Sequence, residues 1–244
     1  MAMHSQSGCL LDKANERGIE EFVRVAIMQP YFMPYAGYFR LFAAADLFVA
    51  LDCVQFPRRG WVHRNRFTDH KGELQWLTVP LKKSDRDATR ICDLQFQENA
   101  SALLRDEARR FRSLQKIQQF RVFADMLFDT SLSPNEYFTS ALSKMAKFLD
   151  MERPIVRSST LNIDPQLRAQ ERIIEIAKQV GAKDYINAPG GRGIYDEGAF
   201  RRAGLTLSFL SAYHGSFSSI LERVIEDGVD LLAREIHENT NLSA

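Results

Sequence analysis

The feature that most constrains this chain is a strand–loop–helix–strand unit packed into residues 25–52. Val25-Ala26-Ile27-Met28 is a short, apolar, β-leaning run of the kind that forms a buried strand. Gln29-Pro30 stops it, a loop with Pro30 and Pro34 follows, and Gly37 marks a turn. Tyr38 to Ala45 then places Leu41, Phe42 and Ala45 at helical spacing, and Leu47 to Leu51 is a second apolar strand. Two such strands joined through a helix form a βαβ unit, so they lie parallel and the crossover is expected to be right-handed.

The rest of the chain extends this pattern. Strands are expected at Leu74–Leu81 and Arg90–Gln97, the second alternating Ile91, Leu94 and Phe96. A helical insertion covers about 100–150, with a break near Ser133-Pro134, where Ser133 and Glu136 form the Ser-x-x-Glu pattern of a helix start. Its Phe, Leu and Met residues read as core. Ile155–Leu161 returns to strand, and Pro165–Val180 is an amphipathic helix closed by Gly181. Asp184–Asn187 and Thr206–Ser211 are strands separated by a Pro189-Gly190-Gly191 turn, and Ile220–Ile236 is a closing helix. The expectation is an α/β fold: a mostly parallel sheet with helices on both faces. Residues 1–22 read as a dispensable extension or tag, and residues 23–244 as a single domain.

Composition narrows the function. With 32 basic and 31 acidic residues the formal net charge is +1, which argues against a general duplex-binding protein. The three cysteines, Cys9, Cys53 and Cys92, are widely spaced and suit a reducing compartment. No apolar run approaches the roughly 18–20 residues of a membrane span, and the first twenty residues lack a signal-peptide core. The cytoplasm is the expected location. The five histidines are scattered, so no metal site is expected, and the sequence leaves any cofactor unknown.

In parallel sheets ligands bind beyond the carboxyl ends of the strands. Gln29, Pro30 and Tyr31 follow the first strand, and Asp52, Cys53 and Gln55 end the second. Gln29 and Asp52 are therefore the candidate catalytic pair, with Asp52 as a general base or hydroxyl-binding group. Gly37 either admits a ligand close to the backbone or simply makes a tight turn. Arg58, Arg59, Trp61, His63, Arg64, Asn65 and Arg66 fall within nine residues. Guanidinium groups grip phosphates and Trp61 can stack on a base or sugar; a solvated basic loop is the plainer alternative. Cys53 with His63 as base could act as a nucleophile, although a buried inert thiol is commoner. Asn187 to Asp196, with Gly190, Gly191 and Tyr195, is a second candidate region, because glycine-rich loops can present N–H groups to anions. A phosphate-bearing sugar nucleotide or cofactor fits this set better than nucleic acid, because the net charge is near neutral.

The run from Val25 to Phe67 closely resembles the opening of the WbqC-like family, a bacterial group tied to O-antigen and surface-sugar assembly. The family's motif falls on Gln29, Pro30, Pro34, Gly37, Tyr38, Phe39, Asp46, Phe48, Asp52, Val54, Gln55, Phe56, Trp61, Arg64, Asn65 and Arg66. Two departures stand out: Cys53 replaces a second aspartate, and the C-terminal loop is shortened to Tyr213–Leu221. A more distant similarity is to nucleotidyltransferases of the H-x-G-H type, with Pro34-Tyr35-Ala36-Gly37-Tyr38 in place of the histidine motif; it implies a nucleotidyltransferase-like Rossmann variant without the usual histidines. The resemblance implies an enzyme of amino-sugar biosynthesis, transferring an acyl or aminoacyl group to a nucleotide-activated amino sugar. On that reading Arg58, Arg64 and Arg66 hold phosphates, Trp61, Tyr31 and Tyr38 pack on sugar or base, and Asp52 orients the amine. The alternatives are a non-catalytic partner in a polysaccharide assembly complex and an ATP-dependent ligase.

Overall fold

A computed structural model describes residues 23–57, 59–83 and 88–243. The expected N-terminal extension, residues 1–22, and the candidate phosphate ligand Arg58 lie outside the described residues. In chain order the elements are β1 (Arg24–Met28), α1 (Ala36–Ala44), β2 (Leu47–Ala50), β3 (Arg64–Thr68), β4 (Leu74–Thr78), α2 (Ala100–Ala108), α3 (Arg112–Gln115), α4 (Arg121–Phe128) and α5 (Pro134–Phe148). There follow β5 (Ile155–Arg157), α6 (Ala169–Gln179), β6 (Asp184–Asn187), α7 (Glu197–Arg202), β7 (Thr206–Leu210), α8 (Ile220–Asp227), α9 (Val229–Glu238) and β8 (Leu242–Ser243).

The main sheet runs β5-β2-β1-β6-β7-β8, with every pair parallel except the last. The strand order reverses between β1 and β6, so the two connections leave the sheet in opposite directions there and open a crevice at the carboxyl ends. Each face of the sheet buries a different set. Ala26, Phe48 and Ala50 pack with Phe39 and Phe42 of α1, with the Phe42 and Phe48 rings stacked at 4.3 Å. Val25, Ile27 and Val49 pack with Ile173 and Ile176 of α6. Burial on both faces is why these strands read as continuous apolar runs rather than as alternations.

The insertion is four helices rather than two, and the expected break is where it was read. Ser133 caps α5 through a capping box with Glu136, with Pro134 in its first turn. Three expectations need correction. Residues 90–97 do not form a strand: Ile91–Asp93 is a 3-10 turn, and only isolated bridges, Gln55 with Arg90 and Leu81 with Phe96, remain. The arginine-rich segment is not all loop, because Arg64–Thr68 pairs antiparallel with Leu74–Thr78 in a separate hairpin. The closing helix is divided at Gly228, whose φ of +88° a non-glycine residue adopts only with strain. Among the described residues no helix is long and apolar enough to cross a membrane.

Candidate functional site

A cleft of about 410 Å³ opens where the strand order reverses. Met28 at the end of β1 and Ala188-Pro189-Gly190 after β6 form its floor, and Pro34, Gly37, Tyr38 and Leu41 bring in the loop and first turns of α1. Tyr31, Tyr35, Trp61, Tyr213 and Phe217 supply aromatic walls, and Arg66 is the single charged residue among the lining side chains. Tyr31, Pro34, Gly37, Tyr38, Trp61, Arg66 and Gly190 are thus brought together from the positions read in the sequence.

The loop that carries Tyr31 and Pro34 is held by an unusual density of bonds. The N–H of Phe32 donates to Trp61 O at 3.0 Å. The Asn65 amide, buried to 1% exposure, donates to Phe32 O at 3.2 Å and to Met33 O. Ser219 Oγ donates to Met33 O at 2.9 Å, and Ile220 N to Pro34 O at 2.9 Å. Met33 sits at φ +42°, a strained conformation for a non-glycine residue, and such strain persists only where the surroundings over-determine it. Asn65 is therefore a brace beneath the cleft, with no part of its side chain in the lining.

Arg66 is the cleft's charge. Its guanidinium lies 5.4 Å from the Trp61 ring centre and 5.9 Å from that of Trp76, and the two indoles are 5.1 Å apart. Cation–π contact holds the side chain in place without neutralising it. Among the described residues no carboxylate pairs with it, and its Nε is buried with no hydrogen-bond partner. A buried donor left unmet carries a cost that an incoming acceptor relieves. Arg64, expected to share this task, instead donates to Gly60 O at 3.2 Å and Arg59 O at 2.7 Å and stacks over Trp76 at 4.1 Å. It fastens its own loop and lines no part of the cleft.

The phenols are neutral donors near pH 7. Burial raises Tyr31, Tyr35 and Tyr38 above the ordinary phenol value, and Tyr38 OH is already committed to Gln29 O at 2.7 Å. Burial, with the hydrogen bond to Glu235, raises Tyr213 as well. His63 is pushed down to about 4, by burial first and then by Arg64, so it is neutral and no acid at pH 7. Its Nδ1 is buried without a partner and its ring meets the edge of Phe56.

The other positions read in the sequence fall elsewhere. Asp52 is fully buried and accepts from Ser158 Oγ at 2.9 Å, Ser159 N at 2.7 Å, Ser159 Oγ at 2.6 Å and Asn135 Nδ2 at 2.6 Å. This knot ties the end of β2 to the end of β5 and to α5, and it leaves the carboxylate no free face for a substrate. Gln29 is half-buried at the end of β1, outside the cleft lining. Asn187 is buried, accepts from Ala188 N at 2.7 Å and packs on Gly191. Gln55 and Tyr195 face a different cavity, beyond β2 and β5.

Sequence reading missed Tyr35, Tyr213 and Phe217. Tyr35 lies 5.4 Å from Tyr213 and 4.9 Å from Phe217, ring centre to ring centre. Tyr213 and Phe217 come from a loop nearly 180 residues away in sequence, and nothing local signals their return. Gly37 explains the fit: a Cβ there would collide first with Tyr35 Cε2 and would stand 2.7 and 2.8 Å from two Tyr213 ring carbons. Gly37→Ala is expected to displace both rings and to cost about 2 kcal/mol of stability, as overpacking does, which urea unfolding measures.

Tyr213 is also tethered from behind. Its OH donates to Glu235 Oε1 at 2.7 Å, and Arg223 Nη2 donates to Glu235 Oε2 at 2.8 Å. Burial alone would raise the Glu235 carboxyl, but the bonds from Arg223 and Tyr213 outweigh it and hold it below its ordinary value. A folded value below the unfolded one of about 4.3 means that the tether is complete above that pH and fades as pH falls through the folded value. The protection of residues 211–219 against hydrogen exchange, corrected for the intrinsic pH dependence of amide exchange, should therefore fall as the Glu235 carboxylate is protonated in acid, and Glu235→Gln should remove that step.

Comparison with known proteins follows the same residues. The model of the WbqC-like protein family matches residues 29–223. The uncharacterized protein Rv1507c of Mycobacterium tuberculosis is 28% identical over 182 residues, covering 72% of this chain and 77% of that protein. No solved structure matches.

Proposed function

This chain belongs to the WbqC-like protein family, and from that premise we propose that it is an enzyme of O-antigen or related amino-sugar assembly, whose cleft binds a nucleotide-activated amino sugar for acyl or aminoacyl transfer to its amine. The observation that carries the reading is Arg66, an unneutralised guanidinium with a buried, unmet Nε in an otherwise aromatic cleft. Aromatic faces suit a base or the apolar face of a sugar, and one fixed guanidinium suits a phosphate. About 410 Å³ lies within the range of small-molecule sites. Its position at the reversal of strand order is where such sheets bind nucleotides. A nucleotidyltransferase-like variant of the fold belongs to the same proposal, with Pro34–Tyr38 leading into α1 where that group places its phosphate-binding motif.

On this reading Arg66 holds a phosphate, Trp61 and Tyr31 flank the sugar or base, and the neutral Tyr31 and Tyr35 phenols donate to hydroxyl or carbonyl oxygens. The cleft contributes recognition and orientation, and reactivity comes from an activated acyl donor. One observation favours the rival reading of a non-catalytic partner protein: among the described lining residues there is no carboxylate, histidine or cysteine to act as a base. Turnover separates the two. The folded protein is expected to acylate at least one member of a panel of amino-sugar nucleotides given thioester and aminoacyl donors. Binding without turnover across that panel would favour the partner protein, and pyrophosphate release from ATP would favour a ligase.

A further inference from the structure

On the same rim, beyond the ends of β2 and β5, lies a second cavity of about 580 Å³. Its base is the Asp52–Ser158–Ser159 knot, whose hydroxyls are all engaged within the protein. Leu161, Ile163 and Ile173 give it an apolar wall, and Arg90, Arg168 and Arg172 give it charge.

The three arginines are not alike. Arg90 is neutralised by Asp93, with bonds of 2.8 and 3.0 Å. Arg168 and Arg172 pair with no carboxylate among the described residues. Arg168 donates only to the carbonyls of Pro165 and Leu167. Arg172 donates at 3.5 Å to Cys53 O and at 3.3 Å to Pro165 O, and its Nε is buried with no partner. Asp164 is the one carboxylate among the described lining residues, and it already accepts from Gln166 N at 2.8 Å. Four residues apart at the start of α6, Arg168 and Arg172 lie on one side of the helix, and the positive end of the helix dipole adds to their field.

We propose that this cavity is a second, separate binding site, for the phosphate or diphosphate group of a second small organic molecule. With the serine hydroxyls consumed, the positive charge left to a ligand is two guanidinium groups that pair with no carboxylate among the described residues, and these select an anion that accepts several hydrogen bonds. A lone phosphate would leave most of the volume empty, so the apolar wall belongs to the body that carries it. The inference does not rest on the reading of the aromatic cleft.

Calorimetric titration with inorganic pyrophosphate tests it, with succinate as the carboxylate probe. Wild-type protein is expected to bind pyrophosphate more tightly than succinate. The Arg168→Gln, Arg172→Gln double variant should bind pyrophosphate about tenfold or more weakly, with an unchanged near-ultraviolet circular dichroism spectrum, while Arg121→Gln, at an exposed arginine that lines neither cavity, binds it as wild type does. Arg168→Gln alone alters an exposed side chain, and its severalfold loss keeps the test open if the double variant does not fold. No pyrophosphate binding, equal binding by the double variant, an equal loss on Arg121→Gln, or a preference for succinate would each overturn the proposal.

Discussion

Asp52→Ala is expected to lower the unfolding free energy by about 4 kcal/mol, near the upper end of single-residue effects. Its carboxylate accepts four hydrogen bonds with no solvent exposure. Removing it strands two serine hydroxyls, one backbone N–H and one amide in the interior. Each unmet donor costs about 1–3 kcal/mol, and local relaxation recovers part of the sum. The knot joins β2, β5 and α5, so its loss loosens the rim that carries the second cavity. Urea unfolding with an unchanged slope measures the effect. A loss under about 1 kcal/mol together with loss of activity would instead identify Asp52 as the catalytic base that its place at a strand end suggests.

Arg66→Gln is expected to weaken a phosphate-bearing ligand by about 2–3 kcal/mol, roughly 30-fold to 150-fold, the scale of a charge-assisted hydrogen bond in a partly desolvated site. Its own stability cost should be small, because among the described residues the guanidinium has no ion pair to lose and its Nε is already unmet. What it gives up is contact with Trp61 and Trp76, worth about 1 kcal/mol. Thermal unfolding and ligand titration of the same variant separate the two quantities. The matched Arg64→Gln variant should behave in the opposite way. It would lose two backbone bonds and the closest stacking contact on Trp76, and so lose stability rather than affinity.

The parts of this fold that were legible in the sequence are those where one local signal dominates. β1 and β2 announce themselves through apolar runs that both faces of the sheet bury, and β6 and β7 through short β-leaning segments bounded by glycine and proline turns. The start of α5 is written in Ser133-Pro134 and Glu136, the end of α6 in Gly181. β3 escaped notice because its inward positions are Asn65 and Phe67, and a buried asparagine breaks the apolar alternation on which a strand is recognised. Residues 90–97 misled in the opposite sense, since Ile91, Leu94 and Phe96 are all drawn into the core or against it without forming a ladder.

The site was legible only where its residues are close in sequence. Tyr31, Pro34, Gly37 and Tyr38 belong to one loop and helix start, and Trp61 and Arg66 to the next segment. Tyr213 and Phe217 arrive through tertiary packing that a linear pattern does not carry. Among the polar residues, type and position did not separate braces from ligands. Asp52, Asn65, Arg64 and Asn187 sit beside strand ends as a binding set would, yet each spends its polar atoms on the protein's own backbone or side chains. That distinction is one of hydrogen-bond accounting, which becomes readable only with coordinates.

The chain has two tryptophans, Trp61 and Trp76, and both flank Arg66. Their fluorescence, excited at the red edge of indole absorption, therefore reports from the cleft. Titration with a panel of nucleotide-activated amino sugars tests the central claim most directly. The expected result is saturable quenching by at least one of them, shifted thirtyfold or more to higher concentration by Arg66→Gln, on the order of 2 kcal/mol. Binding detected by calorimetry with no change in tryptophan emission, or quenching that Arg66→Gln leaves untouched, would contradict it.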